Sequence, residues 1–216
     1  MNKMKTTIHG LVFVFLSSFV CNKTHQTKSN LMTINTLHNA DTITLAGGCF
    51  WCIETTLNRL KGVDTVISGY MGGNKENPTY EEVCTGTTGH AEVVQVHYNP
   101  EMISLETLLT VFFTMHDPTT LNRQGADIGT QYRSAIFYHH ETQKNTIDSF
   151  VNKLIENKIF TNPIVTEIKP SSDFYKAEEY HQNYYNLNRE KNSYCMAVID
   201  PKVNKLRKSY LHLLKD

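Results

Sequence analysis

Two cysteines and one carboxylate hold the most reactive chemistry legible in this chain. Cys49 and Cys52 stand in Gly47-Gly48-Cys49-Phe50-Trp51-Cys52-Ile53-Glu54, after the apolar run Ile43-Thr44-Leu45-Ala46 and ahead of a helical pattern through Leu57 and Leu60. Strand, glycine turn and helix follow from that order. Cys49 then falls at a helix N-terminus, where unpaired N–H groups and the helix dipole favour a thiolate. Phe50 and Trp51, the only tryptophan, come next, and two aromatic rings beside a nucleophile suit a small apolar substrate group. Glu92 begins a run in which Val94, Val96 and Tyr98 share its face by alternation. A carboxyl on so apolar a face has a raised pKa and can donate a proton near neutrality; the rival reading is a surface carboxylate at a strand start.

Other readings of the same residues have less behind them. Cys49-x-x-Cys52 alone would fit a thioredoxin-like disulfide exchanger, although two aromatic residues between the cysteines would be unusual there. A zinc site is weaker, because only one C-x-x-C exists and Cys84 and Cys195 have no partner ligand at knuckle spacing. The five cysteines, Cys21 included, are odd in number and unevenly spaced, which argues against a disulfide scaffold and for redox chemistry. A disulfide-stapled binding module would show almost no free thiol on titration. Cys84, next to Val83, reads as a small buried hydrophobe. Glu54 reads as a charge complement to the first helical turn, and His90 and His181 receive no chemical role.

The elements that must position these groups start near Asp41. Val63 to Tyr70 reads as a strand ending at Gly72-Gly73, Tyr80 to Cys84 as a short helix, and Glu92 to Tyr98 as a strand stopped by Pro100. Ser104 caps a helix with a core stripe of Leu105, Leu108, Leu109, Phe112 and Phe113. Residues 125–129 read as a loop, Ser134 to Tyr138 as a central strand, and Ile147, Phe150, Val151, Leu154 and Ile155 as a helix stripe. Pro163 and Pro170 bracket a strand over 164–168. Tyr175 to Tyr185 reads as one polar, tyrosine-rich helix, and residues 191–196 as a mobile segment. The tail from Pro201 reads as a helix with a solvated basic face. The order predicts an α+β two-layer sandwich rather than a doubly wound sheet, because several crossings lack room for a helix.

The length of 216 residues fits one domain with appendages, and 21 basic against 21 acidic side chains disfavour nucleic acid as a partner. Lys3 and Lys5 precede the apolar run Leu11 to Val20, which is too short to span a bilayer as a mature helix. Residues 1–21 therefore read as an export signal, followed by a Thr/Asn/Lys-rich disordered tether over 22–40 and a domain over 41–216. Cys21 directly after the apolar run resembles a bacterial lipoprotein signal. Simple secretion and lipid attachment at Cys21 both fit, so the expected location is the periplasm or a membrane surface.

Taken together, the motifs Gly48 to Glu54, Asn77-Pro-Thr-Tyr-Glu-Glu-Val-Cys84, Thr88-Gly-His-Ala-Glu92, His116-Asp-Pro-Thr119, Arg123 to Ser134 and Tyr180-His-Gln182 resemble peptide methionine sulfoxide reductase of the A type. The likeness runs from about Asp41 to Tyr210. It implies an α+β domain with a ferredoxin-like core and mixed sheet, acting as a monomer without metal or organic cofactor. The implied reaction is reduction of methionine S-sulfoxide, in oxidised proteins and as the free amino acid, with thioredoxin or a thioredoxin-like protein as reductant. By the same likeness Cys49 attacks the sulfoxide sulfur and Phe50 and Trp51 hold its methyl group. Glu92 protonates the oxygen, Tyr80 and Tyr132 hydrogen-bond it, and Asp127 holds the substrate main chain. Cys195 matches the recycling thiol, with Cys52 as the other candidate.

Overall fold

A computed structural model describes residues 40–215. The export signal, Cys21 and nearly all of the expected tether lie outside the described residues. The first strand, β1 (Asp41–Gly47), leads through a glycine turn into α1 (Phe50–Leu57). There follow β2 (Val63–Met71), α2 (Tyr80–Cys84), β3 (Ala91–Tyr98) and α3 (Leu105–Met115). A small ribbon of β4 (Arg123–Gln124) and β5 (Asp127–Ile128) precedes a 3₁₀ turn at Thr130–Tyr132 and β6 (Ser134–Tyr138). The chain continues through α4 (Glu141–Glu156), β7 (Glu167–Pro170), β8 (Tyr175–Lys176), a 3₁₀ turn at Glu179–His181 and α5 (Tyr184–Asn188). A π-helical turn at Cys195–Ile199 runs into α6 (Asp200–Tyr210).

The main sheet has the order β7-β6-β1-β3-β2-β8. Every neighbouring pair is antiparallel except β6 and β7, which run parallel. The fold is therefore α+β with a mixed sheet. One face carries Ile43, Leu45, Val94, Val96 and Tyr98 against the apolar stripes of α1, α3, α4 and α6. The other carries mostly small residues, Ala46, Ala91, Val93 and Ala135 with Met71 and Phe137, and is covered by Phe174. Ser104 caps α3 by accepting the N–H of Thr107, and Thr79 and Glu82 form a reciprocal capping box on α2.

Several expectations from sequence change here. The first helix stops at Leu57, and Leu60 instead forms a bridge with Leu214 near the chain end. Residues 125–129 are partly ordered as the β4–β5 ribbon. The strand expected over 164–168 begins only at Glu167, because Val165 N–H is taken by the Pro118 carbonyl. It includes Pro170, which an edge strand tolerates.

The helix expected over 175–185 does not form. Tyr175 and Lys176 pair with Tyr70 and Gly69 at the sheet edge, and Asn183 takes the left-handed conformation at φ 52°. Gln182 stitches the segment down, accepting Ser68 N–H and donating to the Ser68 and Ala177 carbonyls. Cys84 is exposed, since the five-residue α2 buries only Val83. Cys195 is fully buried in an ordered turn, rather than lying in a loose segment.

Candidate active site

The position of Cys49, the expected nucleophile, is set by the turn between β1 and α1. Gly48 has φ +87°, and a Cβ there would meet the Gln124 side chain, so the turn requires glycine. Cys49 occupies the N-cap position, makes no side-chain cap bond, and gives its carbonyl to Cys52 N–H at 3.1 Å. Its thiol is therefore available for chemistry, but it is buried rather than displayed. Burial pushes the Cys49 thiol well up, and the adjacent Cys52 and the Glu92 charge push the same way. Cys52 is drawn down to about 7, chiefly by its hydrogen bond with Cys49. Within the hydrogen-bonded pair, Cys52 thus gives up its proton more readily than Cys49. This corrects the thiolate expected at Cys49: desolvation in a closed core outweighs the helix dipole.

Glu92 lies on the helix-covered face of the sheet, opposite Tyr70 in the pairing of β2 with β3. It is 2 % exposed, and its Oε2 accepts the backbone N–H of Phe50 at 3.0 Å. Burial raises its pKa to about 8, helped by the charges of Asp127 and Cys52 and opposed by the Phe50 bond. The carboxyl is protonated at neutral pH and fixed to the residue directly after Cys49. The surface-carboxylate reading is excluded.

Around this pair the structure gathers the other predicted groups. Tyr80 opens α2, with its backbone N–H on Glu178 Oε1 and its hydroxyl hydrogen-bonded to the Cys84 thiol. Tyr132 ends the 3₁₀ turn, which Gln131 ties to the last carbonyl of α2. Burial first and the nearby Glu92 charge second raise both phenols, which stay protonated donors. Asp127 Oδ2 accepts the Tyr194 hydroxyl at 2.7 Å. Phe50 is buried and Trp51 half-buried, their ring centres 6.2 Å apart. Cys195 senses the Cys52 charge, so the recycling candidate lies nearer Cys52 than its place in the sequence suggests.

Three residues enter that the sequence did not single out, Tyr194, Tyr184 and Glu178, and with them His181, which it named without a chemical role. The Tyr194 hydroxyl reaches both Cys49 and Cys52. Tyr184 stacks on Trp51 with ring centres 3.7 Å apart. His181 accepts the Trp51 indole N–H, and Glu178 takes the Tyr70 hydroxyl and Tyr80 N–H. Tyr194 could have been suspected from its place beside Cys195, and His181 from its motif; Tyr184 and Glu178 carry no local signal. Glu54 is buried, with its carboxylate on Asn183 N–H, and burial lifts it to about 7. It is a buried clamp on the segment leading into α5, not a first-turn surface charge. His90 and His116 are structural residues: His90 accepts Gly73 N–H, and His116 bridges the Phe112 carbonyl and the Ser134 hydroxyl. Among the described residues no cluster of three or more His, Cys, Asp or Glu side chains is arranged to hold a metal ion.

A paired thiol at a helix head beside a buried protonated acid, in a cage of aromatic rings, has the makings of a thiol-based reductase. The sequence model of the family described as peptide methionine sulfoxide reductase matches residues 41–213. A relative named peptide methionine sulfoxide reductase MsrA, from Chromobacterium violaceum, is 52% identical over 172 residues, covering 80% of this chain and 97% of its own. One of the same name from Deinococcus radiodurans is 55% identical over 165 residues, covering 76% of this chain and 80% of its own. The solved structure of reduced Mxr1 from Saccharomyces cerevisiae superposes with a TM-score of 0.66 at 38% identity, over 72% of this chain and 90% of that one. This chain belongs to the peptide methionine sulfoxide reductase family and is an enzyme of its A type.

Proposed function

We propose that this enzyme reduces the S epimer of methionine sulfoxide to methionine, in oxidised proteins and as the free amino acid. The observation that carries the reading is Glu92, buried, protonated and held by Phe50 N–H beside the Cys49 thiol. A sulfoxide leaves its oxygen behind only when that oxygen is protonated as the thiol attacks the sulfur. Glu92 supplies that proton and the Tyr80 and Tyr132 phenols hydrogen-bond the same oxygen. As Cys49 attacks, a proton leaves the hydrogen-bonded Cys49–Cys52 pair and makes good the one Glu92 lends. Oxygen moves from the methionine sulfur to Cys49, leaving methionine and a Cys49 sulfenic acid. Phe50 and Trp51 hold the methyl group, and Asp127 the substrate main chain.

The sulfenic acid condenses with a second thiol, losing water, and ends as a disulfide. The hydrogen bond between Cys49 and Cys52 favours Cys52 as the first to condense. Cys195 then attacks Cys52, frees Cys49 as thiolate and presents the disulfide to thioredoxin or a thioredoxin-like dithiol, which becomes oxidised in turn. Cys195 suits that last role because its π-helical turn interrupts regular bonding, a common device at functional sites. Methionine formation from each resolved epimer, with dithiothreitol as reductant and chelator present, tests the reaction. Equal use of both epimers, or loss of activity with chelator, would remove the assignment. Mass-spectrometric mapping after one equivalent of substrate, with turnover of Cys52→Ser and Cys195→Ser, tests the order of thiols; full turnover without Cys195 would discard its role.

Export rests on Lys3, Lys5 and the apolar run before Cys21, and predicts a monomeric enzyme in the periplasm or attached to a membrane through lipidated Cys21. Cys21→Ala moving the protein from membrane to soluble fractions supports lipidation. A wild-type protein found only in the cytoplasm removes export altogether.

A further inference from the structure

Trp51 carries a hydrogen bond that the chemistry above leaves unused. Its indole N–H donates to His181 Nδ1 at 3.2 Å. An accepting Nδ1 bears no proton, so the neutral ring keeps its proton on Nε2. That Nε2 is buried with no hydrogen-bond partner, its nearest acceptor being Glu178 Oε2 at 3.8 Å. Glu178 cannot swing closer without giving up the Tyr70 hydroxyl or Tyr80 N–H that it already accepts. His181 itself is 2 % exposed. Its ring centre lies 5.0 Å from Phe50, 4.5 Å from Tyr80 and 4.2 Å from Tyr180. The imidazole thus touches both aromatic residues of the methyl pocket and one phenol at the sulfoxide oxygen, while its only good hydrogen bond goes to Trp51.

Trp51 is otherwise held by contacts that fix its plane and not its rotation within that plane. Tyr184 stacks on it at 3.7 Å with a 6° tilt, and Tyr194 meets it edge-on at 6.0 Å. Stacked rings slide at little cost. The indole N–H bond to a buried acceptor fixes the remaining freedom.

We propose that His181, as the neutral Nε2–H tautomer, is the positioning residue of the methyl pocket: by accepting the Trp51 indole N–H it sets where that wall stands. It touches no reacting atom in this role and acts through Trp51. Burial lowers its pKa, with Glu178 and Glu81 pulling it back up, so the accepting form is the one present at neutral pH. The ionisable groups facing it are Glu178 from its own segment, Glu81 and Tyr80 from α2, and Tyr180 beside it in the 3₁₀ turn. Protonation at Nδ1 would turn the acceptor into a donor facing another donor and release the indole.

The inference rests on Trp51 lining the methyl pocket, but one arm of the test does not need that reading. Trp51 is the only tryptophan, so emission of the full-length protein reports on this side chain alone. His181→Asn puts an acceptor oxygen near the Nδ1 position, His181→Gln puts one near Nε2, and His181→Phe keeps a ring without any acceptor. Losing the bond should raise KM for a methionine sulfoxide peptide roughly 2- to 10-fold in His181→Phe and His181→Gln with kcat little changed, the size expected for one net hydrogen bond. His181→Asn should return KM to within about 2-fold of wild type, an allowance drawn from the same weak-bond range.

Wild-type emission should also change at acid pH, below the ordinary histidine range, and His181→Asn should lack that transition. Phe and Asn variants with the same KM and the same emission would reduce His181 to packing and overturn the proposal, as would a wild-type acid transition that persists in His181→Asn. If His181→Phe fails to fold, the Asn and Gln pair and the wild-type titration decide. A wild-type protein that reduces no sulfoxide yet shows the acid transition abolished in His181→Asn would leave the His181–Trp51 coupling standing and sink the proposed reaction instead.

Discussion

The raised pKa of the buried Glu92 carboxyl bears on both the proposed catalysis and stability. With a pKa of about 8 it is an acid through the neutral range and is lost as a donor above it. Glu92→Gln should keep the Phe50 N–H bond through its amide oxygen and slow single-turnover reduction by roughly 10²- to 10⁴-fold. The wild-type rate should fall as pH rises through about 8, and the residual rate of the variant should lack that limb. A variant as fast as wild type would remove the proton-donor role. The same raised pKa has a stability consequence. The folded chain keeps a proton that the unfolded chain, with a carboxyl near 4.5, has released. That stabilisation is fully present below about 4.5 and is lost as pH rises through about 8, and Glu54 adds a similar loss through about 7. Urea unfolding at pH 5 and pH 8.5 should therefore show Glu92→Gln gaining on wild type at the higher pH.

The glycine turn at the head of α1 places Cys49 by backbone conformation alone. Gly48→Ala adds a Cβ at φ +87°, which costs about 1–2 kcal/mol for an L-residue in left-handed space. The nearest obstacle is the flexible Gln124 side chain, so the chain should still fold. The expected outcome is a urea midpoint lowered by that amount, with activity reduced more than stability because Cys49 moves relative to Glu92. Unchanged activity would show that the turn tolerates the shift. At the far side of the site, the buried Glu54 and the half-buried Gln182 act as clamps on the irregular segment between β8 and α5. That segment delivers His181 and Tyr184 onto Trp51, a task for which a regular helix would have the wrong spacing.

At the scale of the described domain, α6 closes the same core that α1 opens. Val203 and Leu206 of α6 are buried in the main cluster, and Leu214 bridges Leu60 beyond the end of α1. Asp200 at the start of α6 takes the Tyr185 hydroxyl and the Arg189 guanidinium, tying α5 to the turn that holds Cys195. Leu206→Ala, at a fully buried site, should lower stability by about 2–5 kcal/mol. By loosening α6 it should also slow recycling by a protein dithiol more than the single-turnover reduction at Cys49. Equal slowing of both steps would show that α6 supports the whole site rather than the recycling thiol.

The local pattern alone carried much of this enzyme. The strand, glycine turn and helix around Cys49, the face of Glu92, the capped α3 and the short α2 were legible because period, capping and glycine chemistry act over a few residues. Family likeness then named the site groups. What only the tertiary structure decided was the state of those groups and the irregular parts. The Cys49 thiol is pushed up rather than down because burial, a property of the closed core, outweighs the local dipole. Residues 175–185 abandon helix for an edge strand and a left-handed asparagine because β2 offers unpaired backbone groups nearby, and nothing in the segment itself encodes that. His181 gains its hold on Trp51 only because residues far apart in the chain meet across the site, where sequence spacing has no say.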